Sequence, residues 1–121
     1  MSLGLKRMPH YLLNYLCSVG RDGNADIEFP IDKRSILIGR DHSCDIRIVN
    51  KEISRKHAEV YVEDSGAVWI TSMGREPVSV NGRAVESPQE LCTGDRIEVH
   101  LEGRTRVFYF HVRARVARCV A

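Results

Sequence analysis

Turn-forming residues recur every several positions along this chain, and the segments between them are too short to establish a helical period. Asp22-Gly23-Asn24, Asp64-Ser65-Gly66, Asn81-Gly82, Ser87-Pro88, Thr93-Gly94-Asp95 and Glu102-Gly103-Arg104 each interrupt it. Glycine and asparagine tolerate positive φ there, and proline removes a backbone donor. Between the turns apolar and polar residues alternate with a period of two, which lines one face of a strand. Many short strands joined by tight turns specify an all-β chain, a β-sandwich of two sheets.

Residues 11–19 put Leu13, Tyr15, Cys17 and Val19 on one face and Leu12 and Leu16 on the other, the pattern of a strand covered on both sides for part of its length. Ile27, Phe29 and Ile31 alternate with Glu28 and Pro30, and the proline confines that strand to an edge or an end. Strands are expected next at 35–38, 45–49, 58–62 and 67–71. Ile46, Ile48, Ala58, Val60, Val62, Val68 and Ile70 point inward, and Trp69 packs on the opposite face under a neighbouring loop. Short strands at 78–80, 83–85 and 90–92 precede a last hairpin of 96–101 with 106–112, in which Ile97, Val99 and Leu101 face Phe108, Phe110 and Val112.

At 121 residues, 43% hydrophobic and 28% charged, the chain makes one domain able to bury a core without metals or disulfides. Residues 1–10 read as a disordered lead-in, with Met8 a candidate native start behind added residues. Residues 11–112 are the sandwich, and 113–121 a basic tail. No apolar run reaches the length of a membrane span, and the first residues lack a secretory signal, so no membrane partner is expected. A net charge of +2 does not call for nucleic acid. Arg104, Arg106, Arg113, Arg115 and Arg118 read as a solvated edge and tail. Cys17, Cys44, Cys92 and Cys119 form no C-x-x-C pair, which argues against metal binding and dithiol chemistry and for a reduced, intracellular setting. No cofactor is expected.

The chemistry concentrates between Ile36 and His57. An apolar strand breaks at Gly39-Arg40, the short segment 45–49 carries the chain back to the same end, and Ser54-Arg55-Lys56-His57 opens the next strand. Arg40 is thereby brought towards Ser54. A rigid guanidinium fork, a hydroxyl and loop amides together suit the oxygens of a tetrahedral phosphate.

Gly39-Arg40, Ser54-Arg55-Lys56-His57 and Asn81-Gly82, in this order with strands between, resemble the motif blocks of the forkhead-associated domain, a phosphothreonine-binding β-sandwich. The resemblance runs over residues 11–112. It implies that Arg40 grips the phosphate, that Gly39 lets its loop bend, and that Ser54 contacts phosphate. Arg55 would touch the peptide backbone and Lys56 would reach the phosphate as a point charge. His57, Asn81 and Gly82 would be architectural, Asn81 tying its loop to the one before. Where many members carry threonine and asparagine ahead of Asn81, this chain has Arg75, a cation in place of a hydroxyl, and Glu76, a carboxylate near the phosphate. Cys44 to Ile48 and Gly94 to Ile97 further resemble such modules in mitotic chromosome-surface proteins and kinesins, which implies nuclear, cell-division signalling.

Catalysis is not expected. Ser54, His57 and Asp41 have the residue types of a hydrolase triad, but no nucleophile elbow, P-loop, metal-ligand cluster or Cys-x5-Arg loop accompanies them. The alternative to a phosphopeptide reader is a scaffold of the same fold that pairs with a partner, or with itself as a homodimer, through a sheet edge or the face around Tyr61 and Trp69.

Overall fold

Phe108 and Phe110 anchor the interior of the computed structural model, which describes residues 14–20 and 22–112. The lead-in, the basic tail and Cys119 lie outside the described residues. These residues form two sheets and no helix. With strands numbered in chain order, one sheet runs β2 (Ala25–Pro30), β1 (Asn14–Val19), β11 (Arg104–Val112), β10 (Arg96–Leu101), β7 (Ser79–Val80), β8 (Arg83–Ala84). The other runs β4 (Ile46–Arg47), β3 (Ser35–Gly39), β5 (Ala58–Val62), β6 (Val68–Ser72), β9 (Gln89–Leu91).

Leu16, Ile97, Val99, Phe108 and Phe110 of the first sheet join Ile36, Ile38, Val60 and Ile70 of the second in one core, none more than 3% exposed. Each such side chain contributes roughly 1.5–3 kcal/mol through burial. That closed interior holds the strand ends rigid, and the loops at one end inherit the rigidity.

β1 is covered on both faces over part of its length, with Leu16 and the polar Asn14 and Ser18 buried on one and Cys17 on the other. Ser18 is tolerated there because its Oγ accepts from the Ile27 amide at 3.1 Å. Three local expectations shift. Ile27 is 51% exposed because β2 is the edge of its sheet. β4 keeps two residues, pairing parallel to β3, because the Asp45 carboxylate takes the Leu37 amide at 2.8 Å that a longer ladder would use. The last hairpin turns on Glu102-Gly103 alone, so Leu101 pairs with Arg104 and Val99 with Arg106. Arg106 occupies that inward register by laying its guanidinium over the Phe108 ring, 5.5 Å from its centroid. Trp69 is half-buried, with its indole nitrogen enclosed.

Candidate functional site

β3 ends at Gly39, and the next two residues lie alongside the loop before β5. The Arg40 amide donates to the Ser54 carbonyl and the Asp41 amide to the Arg55 carbonyl, each at 3.1 Å. This approach is why position 39 is glycine, since a Cβ there would sit 2.2 Å from the Arg55 carbonyl oxygen. The expected reason, freedom to bend, is not the operative one: Gly39 is absent from the positive-φ residues, and what it supplies is room.

Arg40 is half-buried, and its Nε donates to the Ile53 carbonyl at 2.9 Å. That bond fixes the guanidinium plane and leaves the two terminal nitrogens for a ligand. Arg40 lines an open cleft of about 410 Å³ together with Asp41, Arg47, Lys51 and Arg55. Lys56 is exposed on the same loop. Cys44 is buried against this loop, its thiol 3.1 Å from the Arg55 carbonyl, and burial pushes its pKa up.

Ser54 stands where two loops meet. Its Oγ accepts from the Arg75 amide at 3.1 Å and keeps its own proton for a ligand oxygen. Its amide donates to His57 Nδ1 at 3.2 Å. His57 is 1% exposed, so Nδ1 is an acceptor on a neutral ring. Burial lowers its pKa; Glu76 opposes that shift and His100 reinforces it. The His57 amide donates to the Ile38 carbonyl at 2.8 Å, and its carbonyl accepts from the amides of Met73 and Gly74 at 2.9 and 3.2 Å. His57 thus ties β3, the Ser54 loop and the loop after β6 together. Its ring meets the Ser54 main chain and not the hydroxyl, so the two are not arranged as nucleophile and base.

The sequence reading missed Gly74. A Cβ on it would lie 2.5 Å from Ser54 Oγ and 2.9 Å from His57 Nδ1. The available signal was a lone glycine immediately before Arg75 in an irregular loop.

Arg75 reaches Ser54 through its main-chain amide. It also lines a second cleft with Glu52, Glu76, His100 and Glu102. Asn81 and Gly82 have φ of 52° and 86°, the paired positive values of a type I′ hairpin between β7 and β8. The Asn81 side chain donates to Asp95 Oδ1 at 2.9 Å and accepts from the Arg96 amide at 3.0 Å. It therefore braces the turn before β10, not the loop before its own, because the hairpin carries its amide towards that turn.

The FHA domain family matches this chain over residues 36–100. The proliferation marker protein Ki-67 of Mus musculus is 32% identical over 85 residues, 70% of this chain and 3% of that protein. The chain thus spans only a few per cent of the Ki-67 relatives it matches. The FHA domain of the CT664 protein from Chlamydia trachomatis superposes with a TM-score of 0.71 at 23% identity, covering 84% of this chain and 98% of that one. The N-terminal FHA domain of Rad53p from S. cerevisiae, in complex with a phosphothreonine peptide, gives 0.68 at 21% identity, covering 84% and 94%.

Proposed function

The chain belongs to the forkhead-associated (FHA) domain family, and from that premise we propose that it binds a phosphothreonine-containing segment of a partner protein, without catalysis. The observation that carries this reading is the junction of Arg40 and Ser54. One loop presents a guanidinium anchored at Nε, the other a hydroxyl with a free proton, and a main-chain bond of 3.1 Å holds the loops together. Arg40 and Ser54 take the phosphate, Arg55 the peptide backbone, and Lys56 adds charge from solvent. Arg75 acts chiefly by positioning Ser54. Gly39, His57 and Gly82 shape the loops, and Asn81 braces them from the β10 side. The likeness to a protein named a proliferation marker supports a nuclear, cell-division setting.

A degenerate peptide library fixed at phosphothreonine, titrated against its unphosphorylated twin by calorimetry, tests the reading. Binding of the phosphorylated library alone is expected. Equal binding of both would instead favour the scaffold, for which the described residues offer little: Tyr61 and Trp69 are half-buried, and among the described residues the large apolar side chains reaching solvent are Ile27, Val49 and Met73.

A further inference from the structure

Two guanidinium groups are fixed in the Arg40 cleft in the same manner. Arg40 donates through Nε to the Ile53 carbonyl at 2.9 Å, and Arg47 donates through Nε to the Arg40 carbonyl at 3.0 Å. Each plane is held by the main chain, and the terminal nitrogens of both have no partner among the described residues. Lys51 and Arg55 line the same cleft, as does Asp41, whose carboxylate already accepts from the amide and hydroxyl of Ser43. Four cations against one carboxylate leave a surplus of three positive charges. A phosphothreonine brings about −1.5 to −2 at neutral pH and does not neutralise it.

We propose that Arg47, with Lys51, forms a second anion subsite that selects ligands carrying a further negative group near the phosphothreonine. Its ligand is a second phosphate or a flanking carboxylate, both of which accept from a guanidinium fork. The inference rests on the reading of Arg40 and Ser54 as the phosphothreonine site. Arg47 has the position for it: it projects outward from β4 while its neighbours Ile46 and Ile48 are buried, and its tether runs to the residue that grips the first phosphate.

The test uses the phosphothreonine library with each flanking position fixed in turn as alanine, lysine, aspartate or phosphoserine, read by fluorescence anisotropy. At one or more positions an anionic residue should tighten binding about fivefold over alanine, the upper range for one exposed ion pair. Arg47→Ala should collapse that ratio, and Lys51→Ala, at an exposed turn where folding is not at stake, should reduce it. The aspartate and phosphoserine arms distinguish a carboxylate from a second phosphate. A library that needs its phosphothreonine yet prefers no anion at any position overturns the subsite alone, as does a ratio unchanged in both variants. Indifference to the phosphothreonine itself overturns the underlying reading, and the subsite with it.

Discussion

Gly74 and Ser54 are packed so closely that a Cβ on the glycine would lie 2.5 Å from the serine hydroxyl. The same Cβ would come within 2.9 Å of His57 Nδ1, so rotating Ser54 away does not relieve the overlap. Gly74→Ala should therefore lower the melting temperature and weaken phosphopeptide binding together, at roughly 1–3 kcal/mol of stability. Gly39→Ala should be worse, because the obstacle there is the Arg55 carbonyl, which belongs to the main chain. Thermal melts and calorimetry on both variants check this. Wild-type binding by Gly74→Ala would show that the Ser54 hydroxyl tolerates displacement and is not a phosphate contact.

Arg40→Ala should abolish phosphopeptide binding and leave the fold intact. Charge-assisted hydrogen bonds contribute roughly 1.5–3 kcal/mol each, against about 8 kcal/mol in total for a micromolar peptide. Loss of the fork thus removes a large share, whereas the lost bond to the Ile53 carbonyl costs stability only about 1 kcal/mol. Arg40→Lys should restore little, since lysine has neither the fork nor the Nε tether. Unchanged affinity in Arg40→Ala, measured by calorimetry, would remove Arg40 from the site.

The motifs and strand alternation were legible in the chain because both are local. Residues such as Ile36, Ile38, Val60 and Ile70 declare their face by a period of two, and Asn81-Gly82 declares its turn by the positive φ it permits. What was not legible depends on contacts between segments distant in sequence. Gly39 and Gly74 are fixed by residues of the Ser54 loop, and no local pattern distinguishes close approach from a bend. Asn81 is expected to tie its loop to the one before, and only the approach of the β9–β10 turn, which brings Asp95 and Arg96 against it, shows otherwise. The burial of Ser18 on β1 is hidden for a related reason: the bond that makes a serine acceptable there comes from Ile27 on the next strand.

The buried imidazole makes stability depend on pH. Desolvation holds the His57 pKa below its ordinary 6.5, so between the two values the unfolded chain binds more protons than the folded one. Stability then rises with pH: the contribution is complete above about 6.5 and is lost as pH falls through the folded value. The melting temperature of the ligand-free protein should drop between about pH 7 and pH 5.5, and His57→Gln should show a shallower drop over that range. Parallel slopes in the two proteins would mean that burial leaves the imidazole free to protonate in place.

Glu76 sets a carboxylate beside the site, close enough to act on His57 and lining the second cleft with Arg75. An exposed negative charge there opposes an incoming phosphate and also offers Arg75 a partner within the second cleft. Glu76→Asn relieves both, so it should tighten phosphopeptide binding, by on the order of 1 kcal/mol because water and salt screen an exposed charge. The gain should shrink as salt is raised, whereas a gain from altered packing would not. The same substitution removes the field that raises the His57 pKa, so it should extend the acid-labile window to lower pH. Calorimetry at low and high salt separates the outcomes: weaker binding in Glu76→Asn would mean that the carboxylate contacts the peptide, reading a basic residue beside the phosphothreonine.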